Sequence, residues 1–386
     1  MTAKTPISSR SRILALFPEL QGFGGVQEAG RLTAAALTDI ASTRGCPLDL
    51  LSLNDSPGRQ NLPSAYGNVP FLGFGRAKAR FVLAAIARAQ KGARFVLAAH
   101  PHLALPAAQL KLFQSNMRLA VISHGVEVWH RLPPLRRSAF LKADAFIAPS
   151  RYTLDQIVAI QGAPPSKTKR IAWPLNPGLL RLAEKRDALP LPPAFPQGLV
   201  ILSVARLAQD ERYKGVDHLI RAVAQLPPDI QSVHLAVVAS GDDLPRHRAL
   251  AAELAIAPRV HFFENLSPDD VAACYSRCDV FALPSTGEGF GFAFLEAMAF
   301  AKPVLGAAAG GVTDIVEHGA NGLLVSPGDL GQLVQSLECL LRSESLRNDL
   351  GRKGAASVHS KYRFDLFRDE LERVLLDCAL ESNQSQ

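Results

Sequence analysis

The chain has 386 residues, 48% hydrophobic and 20% charged, a balance that excludes disorder along its length and exceeds what one core usually holds. Its net charge of +7 is uneven: up to residue 180 there are 22 Lys and Arg against 8 Asp and Glu, a balance of +14, and beyond it 20 against 27, a balance of −7. No apolar run reaches the length of a membrane span, and the five cysteines (Cys46, Cys274, Cys278, Cys339, Cys378) contain no C-x-x-C pair, which argues against zinc and for a reducing cytoplasm.

In chain order, a basic N-terminus leads into Ile13 to Phe17, too short for a signal peptide core and read as the first strand. Gln21-Gly-Phe-Gly-Gly-Val-Gln27 then turns into a helix running to Ala41. As a dinucleotide fingerprint this turn fails, because Gln27 stands where the third glycine of G-x-G-x-x-G belongs. Leu48 to Leu53 reads as a strand, Asn54 to Pro70 as turns, Arg76 to Arg94 as a basic amphipathic helix and Phe95 to Ala99 as a strand. Leu119 to Ser123 is a strand delivering His124-Gly-Val-Glu127 at its carboxyl end, where open α/β sheets bind ligands. Ala143 to Pro149 is another strand, after which Ser150 caps a helix starting near Leu154. A proline-rich joint spans residues 174–198.

The second half opens with the apolar strand Leu199 to Val204. Arg206 follows, then Lys214-Gly215 eight residues later; two cations at a strand end can clamp a diphosphate, arginine by its fork and lysine as a point charge. His234 to Ala239 enters Ser240-Gly-Asp-Asp243, and Arg259 to Phe263 enters Glu264-Asn265. Val280 to Leu283, ended by Pro284, reads as a buried strand. The loop Ser285 to Gly291 alternates glycines with Glu288 and Phe290 before a helix from Phe292 to Ala301 and a strand at Pro303 to Ala307. Strand, glycine-rich loop and helix start in that order make an anion site, because free N–H groups and the helix dipole point at whatever lies above. Glu296 has Phe292, Ala293, Ala299 and Phe300 as helical neighbours, so it should meet a polar ligand rather than a solvated stripe. A carboxylate there suits a vicinal diol such as a ribose. The bland readings are a satisfied structural acid at Glu296 and solvated loop charges at Glu288, Arg206 and Lys214. Tyr362 to Leu380 is an amphipathic terminal helix.

The run E-G-F-G-F-x-F-L-E, in which Glu288 and Glu296 bracket seven residues, resembles the E-x7-E signature of family 4 retaining glycosyltransferases, and the likeness continues through K-P-V, G-G-V and N-G-L-L-V-x-P-G-D. The resemblance implies an α/β chain of the GT-B fold: two doubly wound Rossmann-like domains facing across a cleft. Residues 1–180 would bind the acceptor, completed by the C-terminal helix 362–386, and residues 181–361 the nucleotide sugar. It implies that Arg206 and Lys214 clamp the diphosphate, although Ala205 and the long Arg–Lys spacing depart from the pattern. Gly289, Phe290, Gly291 and Phe292 would offer amides, Glu288 would hold sugar hydroxyls, Glu296 the ribose, and His124 a sugar hydroxyl. Gly24 and Gly25 resemble the G-G-V/I loop near the donor phosphates, and Gly241 and Asp242 a loop bordering the nucleobase. A donor phosphate oxygen would take the acceptor proton, so no protein base, cofactor or metal is expected; the chain has no D-x-D.

The expected function is thus retaining, metal-independent hexosyl transfer from a UDP- or GDP-hexose to a saccharide or lipid-linked acceptor, in bacterial cell-envelope or exopolysaccharide synthesis. The alternative is a sugar-nucleotide epimerase or a non-catalytic binding protein on the same fold. A glycosidase has no use for a cationic clamp, and a nicotinamide enzyme is disfavoured by Gln27. The basic stretch from Arg76 to Lys91, with Phe81, Val82, Leu83 and Ile86 as its apolar face, suits an anionic membrane surface, with packing of that face on the sheet as the competing reading. A cytoplasmic enzyme, peripheral on the inner membrane face if the docking holds, fits both. Nucleic acid is disfavoured, since no aromatics interleave the cations.

Overall fold

The computed structural model describes residues 12–230 and 232–380, the last three without their side chains, so the basic N-terminal residues and Cys378 lie outside the described side chains. The described chain clusters into two compact units. One holds the N-terminal part through Asn176 together with the chain from Arg363 onward, and the other is Pro177–Tyr362.

The first unit is built on eight strands: β1 (Arg12–Phe17), β2 (Leu48–Ser52), β3 (Gly58–Asn61), β4 (Pro70–Gly73), β5 (Ala93–Ala98), β6 (Arg118–Ile122), β7 (Ala145–Ala148) and β8 (Thr168–Arg170). Their order in the sheet is β3-β4-β2-β1-β5-β6-β7-β8, parallel throughout except β3 against β4. Apolar runs such as Ile13–Phe17 are buried on both faces, which a parallel sheet covered by helices requires. Phe81, Phe140 and Phe146 fill one side with Leu14, Leu16 and Val96. The terminal helix Phe364–Leu380 packs on the helix Gly25–Arg44, held by Arg44 to Glu372 at 2.6 Å, Arg368 to Asp39 at 2.9 Å and Trp173 against Phe367.

The second unit has six parallel strands: β9 (Val200–Arg206), β10 (His234–Ser240), β11 (Val260–Glu264), β12 (Val280–Leu283), β13 (Val304–Ala307) and β14 (Leu323–Val325). They run in the order β11-β10-β9-β12-β13-β14. Each sheet therefore grows one way from its first strand and then the other, the doubly wound pattern whose reversal opens a crevice at the strands' carboxyl ends. In the second sheet that crevice is wide. β9 pairs with β10 as far as Arg206 opposite Ser240, but with β12 only at Ile201 and Leu202.

Several elements differ from expectation. The stretch read as turns from Asn54 to Pro70 contains β3 and a 3-10 turn, because a polar, solvent-facing edge strand carries no apolar alternation. The basic helix is only Lys78–Ala89, entered through Gly75 and Arg76 at positive φ and ended before Gly92 at φ 89°. Its expected outward apolar face is largely consumed: Phe81 is buried on the sheet, Val82 and Ile86 are half-buried, and of the four only Leu83 is exposed. The proline-rich joint contains the helix Pro177–Glu184, with proline in the first turn, where its missing N–H is harmless. The helix after the glycine loop stops at Ala299, since Ala301 turns to φ 55°. Ser150 caps its helix as read, accepting from the Thr153 amide at 3.2 Å, but that helix starts at Arg151.

Candidate active site

At the end of β12, Pro284 begins a loop pinned to its surroundings by backbone contacts. The Thr286 amide donates to the Tyr213 carbonyl at 2.8 Å and the Gly311 amide to that of Glu288 at 2.7 Å. Two glycines are needed for this closeness. A Cβ on Gly287 would lie 2.6 Å from the Tyr213 ring, and one on Gly311 2.3 Å from the Gly289 carbonyl oxygen. Gly291, at φ 112°, opens the helix Phe292–Ala299, and no side chain caps that end. Phe290 and Phe294 are buried, so the loop's backbone is braced from below.

The charged side chains gather here in two ion pairs. Lys214 Nζ donates to Glu288 Oε1 at 2.6 Å, and both side chains are largely buried. Arg206 forks onto Glu211, with Nε donating to Oε2 at 2.8 Å and Nη2 to Oε1. Glu211 also accepts from the Tyr213 hydroxyl at 3.2 Å. Burial pushes the Glu211 carboxyl up, but the Arg206 hydrogen bonds and charge, with Lys214 and Tyr213, outweigh it and hold it below its ordinary value. The long Arg–Lys spacing seen in the sequence is the 3-10 stretch Gln209–Lys214, which brings Glu211 and Tyr213 between the two cations. Neither acid nor cation is a free loop charge.

Gly241 and Asp242 lie beside this group. A Cβ on Gly241, at φ 126°, would sit 2.2 Å from the Leu207 carbonyl oxygen, and Asp242 Oδ1 accepts from the Gln209 amide at 3.0 Å. On the helix that follows the loop, Glu296 Oε2 accepts from the hydroxyl of the buried Tyr275 at 2.8 Å. Burial and then the Glu296 charge raise the Tyr275 phenol well above its ordinary value, so it remains a donor. The Ser203 hydroxyl is buried where β9 outruns β12 and has no partner among the described residues.

In the first unit, His124 follows β6. Its Nε2 lies 2.8 Å from the Ala99 carbonyl oxygen, which requires a proton on Nε2, and Nδ1, an acceptor whenever the ring is neutral, is buried and without a partner among the described residues. The ring stacks between His100 and Trp173, each centroid 5.8 Å away, and its backbone amide donates to Glu127 at 2.5 Å. Burial, with His124 and His102 nearby, pushes His100 down to about 2. Gly24 (φ 131°) and Gly25 begin the helix Gly25–Arg44. Arg31 tethers their loop by donating from Nη1 to the Leu20 and Gly22 carbonyls at 3.0 and 2.8 Å. Gln27 turns away onto Glu19 at 2.9 Å.

Sequence reasoning missed Glu211, Tyr213, Tyr275, His100 and Arg31. Only Glu211 had a local signal, an acid inside an unusually long Arg–Lys spacing. Cys274 and Cys278 are buried with their thiols pushed up to about 12 by burial. Among the described residues no group of three His, Cys, Asp or Glu side chains is arranged to hold a metal.

Residues 192–357 match the family model of glycosyl transferases group 1. A D-inositol 3-phosphate glycosyltransferase of Mycobacterium marinum is 31% identical over 240 residues, 59% of this chain and 49% of that protein. One from Acidothermus cellulolyticus is 32% identical over 238 residues, 58% and 51% of the two chains. The chain thus spans about half the length of the curated relatives it matches. Among solved structures, Anabaena HepE in complex with UDP and glucose superposes with a TM-score of 0.72 at 20% identity, covering 95% of this chain and 99% of that one. Sucrose-phosphate synthase from Thermosynechococcus elongatus reaches 0.76 at 22% identity, covering 95% and 98%. Residues 192–357 are thus similar to the glycosyl transferases of group 1, and the two Rossmann-like units have the GT-B fold.

Proposed function

We propose that the chain is a retaining glycosyltransferase that moves a hexosyl unit from a UDP- or GDP-hexose to a saccharide or lipid-linked acceptor. The observation that carries this reading is the pairing of Arg206 with Glu211 and Lys214 with Glu288 around a glycine loop at the switch point of the family-matched unit. Breaking the anomeric C–O bond puts negative charge on the departing diphosphate, and stabilising that charge is the largest contribution such a site can make. Arg206, Lys214 and the amides of Gly289, Phe290, Gly291 and Phe292 are the groups for it. Glu288 turns from Lys214 to hydroxyls of the donor sugar, Glu296 takes the ribose, and the Gly241–Asp242 turn borders the base. His124 Nδ1 accepts from a sugar hydroxyl, while Gly24 and Gly25 border the donor phosphates and the acceptor. A donor phosphate oxygen receives the acceptor proton, so turnover needs neither a protein base nor a metal ion.

The acceptor half of the reading rests on the relatives, named for inositol phosphate and, in the structures of WaaB and WaaG, for lipopolysaccharide. Synthesis of an envelope polysaccharide at the inner membrane face agrees with the exposed Arg76, Lys78 and Arg80 beside Leu83. No described helix is long and apolar enough to cross a membrane.

The test is incubation with UDP-, GDP- and ADP-hexoses, with and without saccharide acceptors and with EDTA present. Acceptor-dependent release of a nucleoside diphosphate, with the donor's anomeric configuration kept in the product, is expected. Turnover without acceptor would mark an epimerase, binding without turnover a carrier, and an inverted product would overturn the retaining assignment.

A further inference from the structure

Arg206 ends β9 at the surface: its side chain is 63% exposed, whereas the Glu211 side chain it grips is 14% exposed. Nε donates to Oε2 at 2.8 Å and Nη2 to Oε1, so one edge of the guanidinium is taken, while Nη1 has no hydrogen-bond partner among the described residues. Glu211 is the fixed member of the pair. Its backbone departs from the surrounding 3-10 turn at φ −113° and ψ 27°, and its carboxylate also accepts from the Tyr213 hydroxyl at 3.2 Å. Tyr213 is held in turn. Its carbonyl accepts from the Thr286 amide at 2.8 Å, and its ring lies so close to Gly287 that a Cβ there would come within 2.6 Å of it. A long, exposed arginine is therefore docked on an acid that is itself anchored to the glycine loop.

We propose that Glu211 is the positioning residue of the diphosphate clamp, gripping Arg206 along its Nε–Nη2 edge so that the other edge stays presented to the departing diphosphate. This rests on the nucleotide-sugar reading above. A guanidinium is a rigid fork with more N–H donors than one carboxylate can engage, so the grip leaves donors for phosphate oxygens. Donors fixed before the charge develops stabilise it without reorganising, which an unheld, solvated arginine does not do. Coulomb's law alone argues the other way, because an acid beside the clamp offsets a cation and weakens the hold on an anion. Two rival accounts follow. Glu211 would be either a place-holder that the diphosphate displaces from the fork, or half of a surface ion pair that braces the turn Gln209–Lys214 and no more. The three accounts differ in the sign of the effect and in whether it passes through Arg206.

The experiment is release of nucleoside diphosphate by the full chain from whichever of UDP-, GDP- and ADP-glucose it turns over best, on wild type, Glu211→Gln, Arg206→Ala and the double variant. Glu211→Gln keeps the side chain's shape and removes the charge that grips the fork. It should lower kcat about tenfold and leave the donor KM unchanged or lower, since a misaimed cation costs most when charge develops. The same change on the Arg206→Ala background should cost less than about twofold, because Glu211 acts through a group already gone. A kcat at the wild-type level overturns the inference, and a lower KM beside it would mark Glu211 as a place-holder. An equal loss in both backgrounds also overturns it and leaves Glu211 a brace for the turn; in either case the donor site stands. If wild type releases no diphosphate from any of the three donors, the nucleotide-sugar reading falls and the inference with it. If Glu211→Gln is too unstable to assay, Glu211→Asp keeps the charge but withdraws it by one methylene, and a wild-type kcat there equally overturns the proposal.

Discussion

Both units place a glycine turn and a helix start at the end of a strand beside their switch point, but the first turn has one ion pair beside it, Arg31 with Glu28 at 2.7 Å, where the second has two. After β1, Gly24 and Gly25 are held by the Arg31 tether to backbone carbonyls, with Gln27 folded onto Glu19 and Phe23 exposed. After β12, the loop from Ser285 to Gly291 has Lys214, Glu288, Arg206 and Glu211 on and beside it, joined through Tyr213. The same topology thus supplies a crevice twice, and the side chains brought to it from elsewhere decide which one suits a diphosphate. Loop and helix start alone do not.

The largest expected effect is at Arg206. Arg206→Ala should lower kcat/KM by about 10²- to 10³-fold, equivalent to about 3–4 kcal/mol of transition-state stabilisation, and Arg206→Lys should recover little because lysine lacks the fork that grips Glu211. The matching change in the first unit, Arg31→Lys, should act mainly on folding, seen as a lower melting temperature with kcat/KM less affected. Equal kinetic losses at both sites would break the contrast. Next, Glu288→Gln removes the charge facing Lys214 and the group assigned to the donor sugar. Turnover should fall by about 1–3 kcal/mol, measured as kcat at saturating donor.

Glycine substitutions sharpen the same contrast through stability. Gly287→Ala forces a Cβ to within 2.6 Å of the packed Tyr213 ring and should destabilise by about 1–3 kcal/mol in urea unfolding. Gly24→Ala meets only the far end of Gln27 at 2.8 Å, a group that can move, so its main cost is the positive φ, about 1 kcal/mol. The reverse ranking would mean that the first loop is the more tightly built.

The first unit should also be the more acid-sensitive through His100. Its folded pKa of about 2 lies below the ordinary 6.5, so the unfolded chain takes up the proton first. Stability from this group is complete above pH 6.5 and falls as pH drops from 6.5 toward 2, by up to about 1.4 kcal/mol per pH unit. Melting temperature followed from pH 7 to pH 5 should decline less steeply in His100→Gln. The smallest effect concerns liposomes. With Phe81 buried, docking through Arg76, Lys78, Arg80 and Leu83 should be weak and salt-sensitive, each cation worth about 1 kcal/mol near an anionic leaflet. Flotation that is unchanged when the three cations become serine would remove that surface from the account.

Much of the second unit was legible because its signals are local. Val280–Leu283, the alternating glycines, and Glu296 within an apolar helix sit within one short stretch, and each follows from what a buried strand, a tight loop or a half-buried acid requires. The illegible parts are non-local. Tyr275 meets Glu296 from a neighbouring helix, and His100 reaches His124 from the adjacent strand, pairings set by the order of strands and helices rather than by spacing. β3 and β4 were hidden for another reason: a short antiparallel edge with Gly58, Arg59, Gln60 and Asn61 reads as turn-forming residues until its partner is known.

The most direct test of where the donor lies is a crystal structure of the chain with the nucleoside diphosphate that binds it best. The account predicts diphosphate oxygens within hydrogen-bonding distance of Arg206, Lys214 and the amides from Gly289 to Phe292, with the ribose on Glu296. A diphosphate whose phosphate oxygens are bound only at Gly24 and Gly25, with the Lys214–Glu288 and Arg206–Glu211 pairs undisturbed, would contradict it.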